Sequence, residues 1–442
     1  MKKINHLILA FGILICSNAT AQYVADPAFT NDFAGRPGHS NSNLTNPPSG
    51  GGMAAPKCIL QDGSYVFAAG KTLDNNYSGY ILNRKNGSTG VNLNFTKLNY
   101  GFLTTGIVNT DEIIPFAMTA DAGSNRLYVV GRTTNTAKGI ICCFRLDNLQ
   151  LVTGFNSTGI LLMESSSTVI DILVKDVSNL LTVRNLSNEI KVSEINTTGA
   201  VGLTFTLSAA GKSYFSSRLK KYPGMSTRYF ITGYVDQSGT KSPGIWGIDY
   251  ITGGHGSPAS MSLICHNALQ LFSEGPGEFL DLCFPYNSST LKYDIVCVGR
   301  TVALNTPASS GMYVKYKGNT STGPAFNLAF DNTYKNQASL PGTGYASNIA
   351  DPTNMTVFTG CEVIGTQVAV VGCYKVGANS PHDAIVGFIN AAGTSYSKEY
   401  IPPANSSTGY PVHYPGRLWV NAQNQILVIA CDFGLTAFKL KP

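Results

Sequence analysis

Charge is scarce in this sequence: Asp, Glu, Lys and Arg make up 13% of its 442 residues. A disordered chain would carry more charge and less apolar content than the 43% found here. Runs of basic residues are missing too, Lys220-Lys221 being the densest pair beyond the N-terminus. That excludes an electrostatic footprint for nucleic acid or anionic lipid. No Cys-x-x-Cys or Cys/His spacing of the kind that builds a zinc site occurs. The five histidines beyond the leader (His39, His255, His266, His382, His413) are scattered, so neither metal nor cofactor is expected. No segment after the leader is long and apolar enough to span a bilayer. Helix-forming composition is equally short. What the chain has instead is 46 glycines among many Asn, Ser and Thr, the mixture of short strands joined by turns.

Residues 1–21 read as a secretory signal peptide. Lys2 and Lys3 form the charged start, Leu7 to Cys16 the apolar centre, and Ala19-Thr20-Ala21 the small-x-small cleavage site. Ile15 precedes Cys16 where lipid attachment favours a small residue, so the leader reads as cleaved and not lipidated. The expected location is therefore secreted or periplasmic. Without Lys2 and Lys3 the formal charge falls from +6 to +4 (6 − 2).

Internal repetition is the informative signal. An apolar run ending in Gly and then a basic or polar residue recurs. Its copies end at Gly70-Lys71, Gly131-Arg132, Val183-Arg184, Gly233-Tyr234, Gly299-Arg300, Gly372-Cys373 and Ala430-Cys431. Gly70 to Ala430 spans six intervals of about sixty residues, so there are seven copies. Each copy has an apolar segment before it, from Ala55–Leu60 in the first to His413–Asn421 in the last. Each has another strand after it, such as Gly79–Arg84 or Ala384–Ile389, usually followed by a Gly-containing turn such as Asn86-Gly87. A last extended segment often carries Phe, as at Phe95, Phe155, Phe205 and Phe326. Four strands repeated radially are the β-propeller plan. The apolar runs are continuous, as expected for sheets packed on both faces. The seventh copy stops after its third strand, so an N-terminal strand within 22–36 is expected to complete it. The segment proposed for this is Asp26-Pro27-Ala28-Phe29-Thr30, by analogy with Gly323-Pro324-Ala325-Phe326-Asn327. Residues 37–52 read as linker, and 53–442 as an all-β, seven-bladed β-propeller.

Three features are similar to the bacterial delta-60 repeats: Gln61-Asp62-Gly63 with Ala69-Gly70, the Asn86-Gly87 turn, and the Asp26 to Phe29 unit. That resemblance implies a secreted propeller built from repeats of about sixty residues. It implies no single activity and no fixed catalytic residues.

Nine cysteines follow the leader, an odd number that leaves at least one thiol unpaired within the chain. Cys283 and Cys297 flank the turn at Asn287–Thr290 and form the candidate disulfide, against the alternative that the cysteines are small buried hydrophobes. The candidate ligand site is the set that follows the strand-ending position: Lys71, Arg132, Arg184, Tyr234 and Arg300, with Cys373 and Cys431. Its four cations, gathered on one face, would attract a carboxylate, sulfate or acidic sugar. Local ion pairing is the competing account. Asp236-Gln237-Ser238-Gly239 partly matches a sialidase-type Asp box but reads better as a turn, and Asp111-Glu112 is a carboxylate pair in a loop. No catalytic constellation stands out. The leading expectation is a monomeric, non-catalytic scaffold binding a protein or glycan through one propeller face. The alternatives are an exported polysaccharide hydrolase or lyase with its site at the channel mouth, and a structural component of an envelope or secreted assembly.

Overall fold

Seven antiparallel sheets follow one another along the chain, the first six with their strands in sequence order from first to fourth and the seventh completed by N-terminal strands. Blade 1 is built from Cys58–Asp62, Tyr65–Asp74, Tyr77–Asn86 and Asn92–Lys97. Blade 2 comprises Ile113–Asp121, Arg126–Thr133, Lys138–Arg145 and Ile160–Ser165; blade 3 comprises Ser167–Val174, Asn179–Leu186, Glu189–Asn196 and Val201–Leu207. Blade 4 uses Ser213–Lys221, Arg228–Gln237, Thr240–Ile251 and Ser260–Ala268. Blade 5 uses Gly277–Cys283, Ile295–Val302, Ser309–Lys317 and a fourth strand split into Ala329–Phe330 and Thr343–Tyr345. Blade 6 is Met355–Ile364, Gln367–Lys375, His382–Ile389 and Tyr396–Tyr400. Blade 7 begins with Leu418–Val420, Ile426–Cys431 and Leu435–Lys441. The chain is thus a seven-bladed β-propeller. This computed structural model describes residues 23–30, 39–41, 58–74, 77–253, 258–268, 277–302, 309–317, 328–331, 343–345, 355–375, 382–393, 396–400, 417–431 and 435–442. The leader, the linker stretch 42–52 and Gly323–Asn327 lie outside them.

The continuous apolar runs have their physical reason here. Alternate residues of each second strand face opposite neighbours, so both sets are buried. Leu127 and Val129 join the cluster shared with blade 1, while Tyr128 and Val130 join the one shared with blade 3. Seven such clusters fill the seven junctions, the last lying between blades 7 and 1.

The strand-ending glycine also gains a cause. Opposite it the first strand carries a β-bulge, as between Phe279 and Asp281 in blade 5 or Pro115 and Ala117 in blade 2. The bulged backbone presses on the second strand, and a Cβ at Gly299 would run into the Glu278 carbonyl. Gly131, Gly233 and Gly372 meet the same crowding.

The N-terminus closes the ring, partly within the expected 22–36 and partly beyond it, with Asp26 to Thr30 between the paired residues rather than among them. Val24–Ala25 pairs with Lys441 and Leu440, and His39–Asn41, inside the stretch read as linker, pairs with Phe438 to Thr436. Asp26 to Thr30 lies between them as a turn: Asp26 Oδ1 accepts Ala28 N–H at 3.1 Å and Phe29 N–H donates to Asp26 O at 3.0 Å. Phe29 is fully buried among Ile59, Val66, Ala68, Ile81 and Leu427, where blade 7 meets blade 1. Lys439 Nζ reaches Asp26 Oδ2 at 3.4 Å and donates to Gly87 O of blade 1 at 2.7 Å.

The same device recurs inside the ring. Asp26 N–H donates to Lys439 O, Asp331 N–H to Lys315 O and Val152 N–H to Cys143 O. The residue matching Asp26 in blade 5 is therefore Asp331, which also pairs with Lys315 at 3.4 Å. Where the third strand has Cys143, the partner is Val152, so charge and apolarity are matched across the pair. Phe155 is the buried counterpart of Phe29, whereas Phe95, spaced like Phe155 in sequence, sits 46% exposed on an outer strand.

Lys85, on the third strand of blade 1, is fully buried and donates to Ser40 Oγ of the closing strand at 3.0 Å and to Asn92 Oδ1 at 2.6 Å. Burial pushes its ammonium down to about 7 from an ordinary 10.5. The unfolded chain then binds more protons than the folded one between those values, so stability should rise with pH from about 7 to 10.5. Lys85→Met should flatten that rise, whose slope approaches about 1.4 kcal/mol per pH unit; urea unfolding at stepped pH reads it directly. Phe29→Ala should cost about 3–5 kcal/mol in the same assay, and an unchanged midpoint would mean that the N-terminal segment does not lock the ring.

Candidate functional site

The first strands form the inner wall, each touching the next around the full circle. Just past the bulge, their side chains point into the channel. Blade 3 supplies Asp171 there, blade 4 Arg218 and blade 5 Asp281, with Lys220 and Glu362 two residues further along in blades 4 and 6; Arg417 joins them from the residue before the first strand of blade 7. Arg218 Nη1 lies 3.3 Å from Asp171 Oδ2, and its Nε lies 3.3 Å from Asp281 Oδ1 without being aimed to donate to it. Lys220 Nζ lies 3.5 Å from Asp281 and 2.5 Å from Glu362, bridging blades 4, 5 and 6. Arg417 reaches Asp171 at 3.5 Å and donates to Ser217 O at 3.2 Å. Blades 7 and 3 are not neighbours, so that contact crosses the channel.

The two aspartates also tie blade to blade through the backbone. Asp171 accepts N–H groups from Ile172 and, in the next blade, Leu219; Asp281 accepts from Leu282 and, in the next blade, Cys361. Three cations face three carboxylates, so the hub is formally neutral. Burial opposes the charged forms of Arg218 and Lys220, yet the facing carboxylates push both above their ordinary values. Burial would likewise raise Asp281, but Lys220, Arg218 and Arg417 together hold it below its ordinary value. For Arg417 burial and the like charge of Arg218 prevail and lower it. Nothing at the second-strand positions pointed to this hub. The available signal was a charge inside an apolar run, as in Val169-Ile170-Asp171-Ile172 and Phe279-Leu280-Asp281-Leu282.

The expected cation set does not assemble as drawn. Lys71, Arg132, Tyr234 and Arg300 occupy matching places on second strands, each on the side facing the following blade. Arg184 does not. The bulge of blade 3 follows Val169, whose partner is Arg184, so Arg184 takes the glycine position and Asn185 the place after it. A slip of one residue turns a strand side chain to the other face. Arg184 accordingly packs back on blade 2, donating to Ser193 Oγ at 2.9 Å and pairing with Glu164 at 3.2 Å. Arg300 is paired with Glu278 at 2.7 Å, and Tyr234 stacks on Phe215 with Lys241 over its ring. Among the described residues Lys71 and Arg132 make no side-chain hydrogen bond or ion pair. The side chains of Cys373 and Cys431 lie outside the description.

Cys283 and Cys297 are on adjacent strands but one residue out of register, Leu282 lying opposite Cys297. Their thiols are free and face opposite sides of the blade, Cys297 toward blade 4 and Cys283 toward blade 6. The expected bridge is therefore not made in this structure. Asp236 accepts Gly239 N–H in a hairpin turn, as its sequence suggested. Asp111 orders the Asn135-Thr136 loop, and Glu112 accepts from the Tyr77 hydroxyl at 2.7 Å and from Asn99.

A cleft of about 230 Å³ opens between blades 5 and 6, at the strand ends opposite those bearing Arg300. A two-strand hairpin, Tyr286–Asn287 with Lys292–Tyr293, forms one wall, and the Gly365-Thr366 turn the other. Asn287 donates to Asp294 Oδ2 at 3.0 Å, and Lys315 Nζ lies 3.1 Å from the same atom. Tyr286 stands at the rim, 54% exposed, its ring edge-on to Tyr293 at 5.2 Å. Ser288 and Ser289 add hydroxyls. Among the described residues no group of three or more His, Cys, Asp or Glu is placed to hold a metal ion, and no helix is long and apolar enough to cross a membrane.

No family model matches the chain, and no curated protein matches it in sequence. Solved structures do match in shape. Hydrazine synthase from Kuenenia stuttgartiensis is 12% identical, with a TM-score of 0.50 over 87% of this chain and 95% of that one. The polysaccharide lyase Uly1 is 10% identical, with a TM-score of 0.49 over 93% and 94%. Sqt1 from Chaetomium thermophilum, bound to the N-terminus of a ribosomal protein, is 10% identical, with a TM-score of 0.48 over 88% and 97%. At 12% identity the likeness to hydrazine synthase bears on the fold alone.

Arg218→Met should destabilise the chain by about 3–5 kcal/mol, because it leaves Asp171 and Asp281 buried beside one cation fewer. Asp281 sits below its ordinary value, so its contribution is present above pH 3.8 and lost as pH falls through the folded value. Asp281→Asn should therefore shrink the acid limb of the stability–pH curve, which thermal unfolding between pH 2 and 6 would show.

Proposed function

We propose that this chain is an exported propeller that binds a glycan without turning it over, taking one sugar-sized unit in the cleft between blades 5 and 6. The cleft is the observation that carries the reading. Its 230 Å³ is below the range of sites for drug-sized ligands and suits a single ring. Its lining combines one exposed aromatic with amide, hydroxyl, carboxylate and ammonium groups, the mixture that grips a polyol through C–H contact on the ring and hydrogen bonds around it. The leader and the delta-60-like repeat signature support an exported scaffold of that kind. A hydrolase or lyase at the channel mouth would need carboxylates free for acid–base work, whereas Asp171, Asp281 and Glu362 are each engaged by a cation.

The test is a broad glycan array probed with the full chain, followed by calorimetry and a product assay on each hit. Tyr286→Ala should weaken the best hit at least about tenfold, by loss of roughly 1.4 kcal/mol of ring contact, while Arg132→Glu should leave it unchanged. Binding that survives Tyr286→Ala but fails with Arg132→Glu would move the site to the opposite face. Product release would turn the reading to an enzyme.

A further inference from the structure

The Cys283 thiol has a partner, but in the neighbouring blade. Cys283 ends the first strand of blade 5, and Cys361 lies within the first strand of blade 6. Both are buried in the one cluster that fills the junction between these blades, with Val296, Val298, Phe358 and Val370 around them. Besides burial, Cys283 is among the groups that raise the Cys361 thiol above its ordinary value. The backbone holds the two strands in that relation: Cys361 N–H donates to Asp281 Oδ2 at 3.1 Å, and Lys220 Nζ ties Cys361 O to the Asp281 and Glu362 carboxylates. No comparable meeting brings Cys297 to Cys283, since they face opposite sides of their sheet.

We infer that Cys283 and Cys361 are a disulfide site that staples blade 5 to blade 6 at the inner wall. The bond forms by thiol–disulfide exchange with a disulfide-bearing oxidant, such as a dithiol oxidase of the export compartment or glutathione disulfide. One thiolate attacks the oxidant's disulfide and releases one of its sulfurs as a thiol. The second thiolate then attacks the mixed disulfide and releases the other. Two protein thiols and one oxidant disulfide thus become one protein disulfide and two oxidant thiols, the two protons lost by the protein thiols being taken up, through solvent, by the oxidant's two sulfurs. The exchange belongs to folding, before blade 6 docks on blade 5. Afterwards both groups are buried, and burial together with the neighbouring Cys283 and Asp281 holds the Cys361 thiol in its protonated, unreactive form. This assignment stands apart from the glycan reading and leaves Cys58, Cys142, Cys143, Cys265 and Cys297 as buried or half-buried thiols.

The full chain, leader included, is expressed for export, quenched with N-ethylmaleimide under denaturing conditions, and mapped by mass spectrometry without reduction. A peptide pair joining Cys283 to Cys361 is expected. Recovery of both residues as maleimide adducts, or of Cys283 joined to Cys297, overturns the assignment. Refolding the purified mature chain in a glutathione redox buffer gives a second reading independent of export, and there too the unlinked form sinks it. Dithiothreitol should lower the melting temperature of the linked protein by about 5 °C and leave a Cys283→Ala/Cys361→Ala variant unmoved. An equal fall in both would assign the effect to some other thiol.

Discussion

Ring closure is the constraint on which the rest of this structure depends. A stack of sheets packed face to face leaves two apolar faces bare unless its last member meets its first. Here seven apolar clusters fill seven junctions, and the seventh exists only because the N-terminus returns to the end of the chain. Val24–Ala25 and His39–Asn41 supply the hydrogen bonds of the missing strand, Phe29 fills the junction, and Lys439 binds Asp26 on one side and blade 1 on the other. Closure therefore joins the two ends of the sequence by ladder, packing and charge at once.

The hub follows from the same geometry. Seven first strands line one axis, and in blades 2 to 6 a bulge sets the place of one residue on it. Ala117 and Gly360 keep that place small, Asp171, Arg218 and Asp281 fill it with alternating charge, and Arg417 reaches Asp171 from blade 7. Paired charges in so confined a space add specificity more than net stability, because removing them from water offsets much of their attraction. Their direction matters more: each aspartate accepts backbone N–H groups from its own and the following blade, which sets the height at which neighbouring blades meet. The thiol pair at Cys283 and Cys361 sits beside one of these ties.

A propeller offers its makers two faces and a channel, and the function lies in what is mounted there. In this chain the channel is occupied by its own ion pairs. The face once expected to gather cations has two of them engaged with carboxylates. The hairpin inserted before the second strand of blade 5 has no counterpart in the other blades among the described residues, and it walls the cleft with Tyr286 at its rim. Departure from the repeat is where a repeat protein carries its individuality.

The seven copies, their four strands and the need for a closing strand were all legible in the sequence. They rest on local periodicity and on apolar runs whose length and spacing a single chain displays. The strand pairing was also nearly legible, since each first strand lies where the apolar segment before Gly indicated. What periodicity does not carry is register. Blade 3 has Arg184 in the glycine position, and reading Val183 there moved every later residue of that strand to the wrong face. Phe29 and Phe95 look alike in sequence, yet one plugs the ring and the other faces solvent, because only pairing decides which residue lies in a turn. The hub and the partner of Cys283 were further out of reach. They join residues from first strands in different blades, far apart along the chain, and only the closed ring brings those strands to one axis.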